Sequence, residues 1–173
     1  MRTNEFIGEM TPPARERKTK TAEEALQALM RLCSRAEKST GDARRLMRSW
    51  GVPEMAQQAV IDRLVAQRFI DNRRYAEAYT REKSNLAGWG ARKIALQLRQ
   101  KEIERDIIAE VLTTLDATSQ NEKLAEKLCR KLHSTKAANH YELRGKLLRY
   151  ALGLGYDYEQ TLGVLDKIVS EDL

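Results

Sequence analysis

From Thr21 onward, apolar residues recur at three- and four-residue spacing, and no sustained alternation suggests a strand. Leu26, Leu29 and Cys33 form one such stripe, and Ala91, Ile94, Ala95 and Leu98 form another. The pattern predicts helices over about 21–36, 42–50, 71–86, 90–101, 119–133 and 138–153, with further helical segments between them. Thr21-Ala-Glu-Glu24 has the spacing of a capping box and marks the first helix start. In Trp50-Gly51-Val52-Pro53 a glycine stop precedes a proline restart, so one helix ends there and the next begins.

Three segments align: GVPEMAQQAVIDRL from Gly51, EIERDIIAEVLTTL from Glu102 and GYDYEQTLGVLDKI from Gly155. Val60-Ile61, Val111-Leu112 and Val164-Leu165 then coincide, at separations of 51 and 53 residues. Two helical stretches precede each segment, so the expectation is an all-α fold of three tandem three-helix repeats in an elongated, curved array. The boundaries read as 21–70, 71–117 and 118–173, after a disordered basic tail over 1–20 that carries Pro12, Pro13, Arg15, Arg17, Lys18 and Lys20.

Charge modifies this picture. The 173 residues carry a net charge of +6, and 32% of them are charged, which points to a thin core and a large surface. Residues 68–105 hold ten cations against five carboxylates, whereas 106–173 hold nine against eleven. The basic excess therefore sits in the middle, where an anionic partner is plausible. No apolar run approaches the ~20 residues of a membrane span and nothing resembles a signal peptide, so a soluble, cytoplasmic chain is expected.

Chemistry-bearing motifs are scarce. There is no Gly-rich phosphate loop, no GxSxG and no paired Cys or His at ligand spacing, so neither enzymatic activity nor a metal or cofactor is expected. Cys33 and Cys129 read as buried thiols, and His133 and His140 as solvated or capping side chains. Arg92 and Arg99, seven apart, share a helical face with Lys93 and Gln100 beside them, and Arg74 and Arg81 repeat the spacing on the preceding helix. These stripes suit phosphates or an acidic protein groove, and equally the solvated face of any helix. Tyr75 and Tyr79 read as core. Trp89, between Gly88 and Gly90, is either an interface anchor or a cover over a helix end.

RFIDNRRYAEAYTREK from Arg68 and GARKIALQLRQKEI from Gly90 together resemble the signature of the RecX family of bacterial regulatory proteins. Phe69-Ile70-Asp71, Arg74-Tyr75-Ala76, Tyr79, Arg81, Gly90, Arg92, Ile94, Leu98 and Lys101 carry the match. Ala43-Arg44-Arg45-Leu46 and Val60-Ile61-Asp62-Arg63-Leu64 extend it into the first repeat. Glu102 departs from the glycine usual after the lysine, so that helix is expected to end without a left-handed glycine cap.

The resemblance implies a monomeric modulator that lies in the groove of the RecA–DNA filament and inhibits filament growth, strand exchange and ATP hydrolysis, with some direct affinity for single- or double-stranded DNA. On that basis the expected contact residues are Arg73, Arg74, Arg81, Arg92, Lys93 and Arg99, extended into the first repeat by Arg44, Arg45 and Arg48. The alternative is a helical nucleic-acid-binding module or repressor acting directly on DNA. Against it, no Asn, Gln or Arg cluster at a helix start suggests base readout.

Overall fold

The computed structural model describes residues 19–171, with side chains through residue 168, so the expected tail lies outside the description apart from Thr19 and Lys20. Nine helices and no strand occur among the described residues. The first unit holds α1 (Ala22–Cys33), α2 (Thr40–Ser49) and α3 (Glu54–Ala66). The second holds α4 (Asn72–Asn85), α5 (Ala91–Gln100) and α6 (Arg105–Thr113), and the third α7 (Ala117–Ser134), α8 (His140–Gly153) and α9 (Tyr158–Glu171).

Local chemistry sets the helix starts. Thr21 and Glu24 form the reciprocal box at α1, the Glu24 amide donating to the Thr21 hydroxyl at 3.2 Å and the Thr21 amide to Glu24 Oε2 at 2.8 Å. Ser39 and Asp42 repeat the device at α2. Asp71, Asp116 and Asn139 cap α4, α7 and α8 through their side chains.

Each unit buries its own stripe. Leu26, Leu29, Met47, Leu64 and Ile70 fill the first core, Tyr75, Ala76, Ile94 and Leu98 the second, and Leu124, Leu128, Leu147, Tyr156 and Leu165 the third. Full burial of a large aliphatic side chain is worth roughly 1.5–3 kcal/mol, so a few such residues hold each small unit together.

The aligned residues of the three repeats share one conformation. Gly51, Glu102 and Gly155 have φ of 70°, 58° and 89° and follow the last residues of α2, α5 and α8. The next amide in each case, from Val52, Ile103 or Tyr156, donates back to Met47, Leu98 or Ala151 at 3.0, 3.1 and 3.2 Å. These are Schellman turns, and their third residues are buried and apolar. The α5 end thus keeps the left-handed cap although a glutamate stands where glycine is usual, at a cost of roughly 1–2 kcal/mol for the misplaced Cβ.

The ends of these same helices join the units. The Gly41 amide at the start of α2 donates to the Lys101 carbonyl at the end of α5 at 3.1 Å. At the start of α5, Gly90 donates to the Leu154 carbonyl at 2.9 Å and Arg92 to that of Gly155 at 3.0 Å. The helices α8, α5 and α2 therefore stand head to tail, each carbonyl end meeting the next amide end with favourably aligned dipoles. At the far end, the Trp50 carbonyl of α2 receives the Lys20 amide at 2.9 Å. The α1 entry segment closes the spine there.

Candidate functional site

The spine brings charged side chains of different units together. Where the first unit meets the second, Arg74 Nε donates to Glu37 Oε1 at 2.6 Å and Arg44 Nε to Glu102 Oε2 at 2.7 Å. Asp42 is the hub of this joint, accepting from Lys101 Nζ at 2.7 Å and from Arg45. Burial works to raise the Asp42 pKa, but the hydrogen bond and charge of Lys101, with the Ser39 amide and Arg45, outweigh it and hold the carboxyl below the usual range. Asn72 completes the joint, accepting from the Thr40 amide at 3.1 Å and donating to Glu104 at 3.0 Å.

The second joint repeats the plan with other residues. Arg92 pairs with Asp157 at 2.6 Å, and Lys93 Nζ reaches the Gly153 carbonyl at 3.3 Å. The buried Ser84 hydroxyl accepts from Gln120 Nε2 at 2.7 Å, and Lys123 donates to Asn85 Oδ1 at 2.7 Å. Tyr156 sends its hydroxyl to the Gly88 carbonyl at 3.3 Å, and burial pushes its pKa up to about 12. Trp89 covers this joint, half-buried, with Lys93 Nζ 4.4 Å and Lys83 Nζ 5.6 Å from its ring centroid. Of the two readings open for Trp89, the covering one describes its position.

The nine expected contact residues therefore divide. Arg44, Arg74, Arg92 and Lys93 reach across joints, while Arg45 stays on α2 with Asp42 and Arg73 pairs with Glu110 of α6. Arg48, Arg81 and Arg99 are exposed and make no ion pair or side-chain hydrogen bond among the described residues. The structure gathers no single arginine stripe from α4 and α5: Arg74 turns to the first unit and Arg92 to the third.

The family model for the second three-helix domain of RecX matches residues 71–112. A regulatory protein RecX from Clostridium botulinum is 28% identical over 150 residues, covering 85% of this chain and 69% of that protein. One from Mycolicibacterium vanbaalenii is 27% identical over 165 residues, covering 92% and 89%. A crystal structure of regulatory protein RecX superposes with a TM-score of 0.77 at 20% identity, over 84% of this chain and 73% of that one. The chain is similar to the RecX family in its second three-helix unit by the family model and over most of its length by these relatives.

On this RecX fold, the repeat register sorts the free cations. Arg48 and Arg99 are 51 residues apart and occupy the same place near the ends of α2 and α5, where α8 carries Leu152. One turn earlier the equivalent residues are Arg45, Leu96 and Arg149. All six are exposed, Leu96 at 47% and Leu152 at 37%. Each repeat thus presents one exposed pair at i, i+3 spacing on its spine helix, and each pair includes an arginine.

Sequence reasoning named Arg45, Arg48 and Arg99 but missed Leu96, Arg149, Leu152 and the row itself, because it compared charges within a helix rather than between repeats. It also missed Glu37, Asp42, Glu102 and Asp157, the carboxylates that hold the joints. The Ser39-x-x-Asp42 box was the one readable signal among them. Cys33 and Cys129 are free and half-buried rather than fully buried, and burial pushes the Cys33 thiol up. Among the described residues, no group of three or more His, Cys, Asp or Glu could hold a metal, and no helix is long and apolar enough to cross a membrane.

Proposed function

We propose that this chain is a regulatory protein that binds the RecA–DNA filament and inhibits the recombinase and ATPase activities of RecA, acting in the cytoplasm as a monomer and by binding rather than catalysis. The observation that carries the reading, beyond kinship with proteins named regulatory protein RecX, is the periodic row on the spine: Arg45 with Arg48, Leu96 with Arg99, and Arg149 with Leu152. A partner built of repeated subunits offers the same acidic or apolar patch again and again. A rod that repeats its own patch can meet several at once and gain by effective concentration.

Locked joints favour such bridging, because units already fixed in spacing lose little conformational freedom on binding. Bridging successive subunits would oppose the rearrangements that accompany filament growth and ATP turnover. Titration of the full chain into RecA on single-stranded DNA, with ATP hydrolysis as the readout, tests the proposal directly. Hydrolysis falling to a low plateau is the expected result. An unchanged rate at saturation would refute it.

A further inference from the structure

Between α4 of the second unit and the start of α7 in the third lies a cleft of roughly 400 Å³. Glu77, Thr80, Arg81 and Ser84 line its α4 wall, at the i, i+3, i+4 and i+7 positions of one helical face, with Asp116 and Gln120 opposite. Its floor is polar and buried, Thr80 and Ser84 each being 2% exposed and Gln120 6%. The Thr80 hydroxyl has no hydrogen-bond partner among the described residues, although an unpaired buried hydroxyl is costly. The Ser84 oxygen accepts from Gln120 Nε2 at 2.7 Å and from Lys123 Nζ at 3.3 Å, which occupies both lone pairs. Its own proton is left to donate, and no described group accepts it. Above this floor stand Arg81 and Glu77, both exposed, neither with an ion pair or side-chain hydrogen bond among the described residues.

We propose that this cleft binds a small zwitterionic carboxylate of the free α-amino acid class. Thr80, Ser84 and Arg81 are donors with nothing to donate to, and the planar fork of arginine matches a carboxylate. Glu77, one turn from Arg81 at the rim, is the acceptor for an ammonium group. Asp116 adds a second negative charge there, one of its oxygens being held by the Ser119 amide at 2.6 Å. A nucleic-acid strand fits poorly, since the phosphates flanking a bound one would face these two carboxylates. An inorganic anion would leave Glu77 unanswered and much of the space empty, whereas small-molecule sites begin at roughly 300 Å³. Leu115 is the one apolar residue of the lining, so a polar side chain on the ligand suits it better than an apolar one. Because α4 and α7 belong to different units, an occupant braces the second joint. The site stands apart from the spine row and does not depend on the filament proposal.

The test is calorimetric titration and a thermal melt of the full chain, without RecA or DNA, against the free L-amino acids one at a time at millimolar concentration. At least one with a polar side chain should bind saturably and raise the melting temperature. Its N-acetyl and C-amide derivatives, each lacking one of the two charges, should bind on the order of tenfold more weakly. Thr80→Val removes a hydroxyl that has no partner to strand, so the unliganded variant should melt at or above the wild-type temperature. Its affinity should nevertheless fall about tenfold, and that of Arg81→Gln likewise. Glu77→Gln should weaken the amino acid but not its N-acetyl derivative, which has no ammonium to pair.

No saturable response from any amino acid would leave the hydroxyls to solvent and overturn the proposal, as would binding that Thr80→Val and Arg81→Gln both leave unchanged. Acetate or sulfate protecting as well as the amino acid would reduce the cleft to a simple anion site. Competitive displacement by an oligothymidylate would make it part of a nucleic-acid surface. Either result refutes a zwitterion site. Because RecA is absent throughout, a failure here leaves the filament proposal standing, and unchanged ATP hydrolysis in the RecA titration leaves this one standing.

Discussion

The Gly41 amide donates to the Lys101 carbonyl at 3.1 Å, and a Cβ on residue 41 would lie 2.5 Å from that oxygen. Gly90 is placed alike, its Cβ falling 2.4 Å from the Gly155 carbonyl oxygen. In an isolated helix, Gly→Ala would gain about 1 kcal/mol. At Gly41, inside α2, the backbone of the next unit blocks the gain, and Gly90, the extended N-cap of α5, has no such gain to make, so Gly41→Ala or Gly90→Ala is expected to cost about 1–3 kcal/mol through overpacking and a strained joint. Gly163→Ala in α9 is the control, since its Cβ meets nothing within 4 Å, and it should stabilise by up to about 1 kcal/mol. Urea unfolding of the three variants reads the opposite signs, and a stabilising Gly41→Ala would show that the joint is looser than its hydrogen bond implies.

Glu102 and Arg68 are the two non-glycine residues with positive φ among the described residues, both at 58°. Arg68→Gly removes the Cβ strain and loses a long, exposed contact of 3.4 Å with Asp71, so a net gain of about 1 kcal/mol is expected. Glu102→Gly relieves the same strain but gives up the pair with Arg44 that spans the first joint. Its gain should be smaller. Equal gains from both substitutions would mean that the Arg44–Glu102 pair contributes no more than the long Arg68–Asp71 contact.

Periodicity made the helices and the repeat register legible. The alignment on Gly51, Glu102 and Gly155 falls on the residue that takes the left-handed turn in all three units, because a helix end of this type needs a fixed offset from the apolar residues it covers. The joints were not legible in the same way. Arg74 and Glu37 are 37 residues apart, and Arg44 and Glu102 are 58 apart, so no local pattern pairs them. Summed charge misled for a related reason: a total of nine cations against eleven carboxylates hides how Lys123, Lys127 and Lys131 gather on one side of α7. A face, unlike a sum, depends on the helical angle between residues.

Asp42 predicts how the first joint responds to acid. Its folded pKa lies below the unfolded value, so the unfolded chain binds the proton more readily and stability rises with pH across the window between the two. The contribution is present above the ordinary carboxylate range, near pH 4, and is lost as pH falls through the depressed folded value. Asp42→Asn should cost about 1.5–3 kcal/mol at neutral pH, the usual effect of removing a charged hydrogen-bond partner. The gap between wild type and variant should close below pH 4 in paired urea titrations. A gap that stayed constant with pH would assign the cost to packing rather than to charge.

Arg99 and Arg92 share α5 but serve different ends, which decides how the partner surface is probed. Arg92→Glu would set a second carboxylate against Asp157, 2.6 Å from the present guanidinium, and so loosen the second joint as well as alter the surface. Arg48→Glu with Arg99→Glu avoids this, since neither side chain holds an ion pair or side-chain hydrogen bond among the described residues. Both are exposed, so unfolding free energy should change by no more than about 0.5 kcal/mol. If the spine row faces the filament, the double variant should need on the order of tenfold more protein to reach half-inhibition of RecA ATP hydrolysis, the effect of about 1.4 kcal/mol lost at the interface. Inhibition at the wild-type concentration would remove these arginines from the interface and leave Arg81, the remaining free arginine of the expected set, as the next to test.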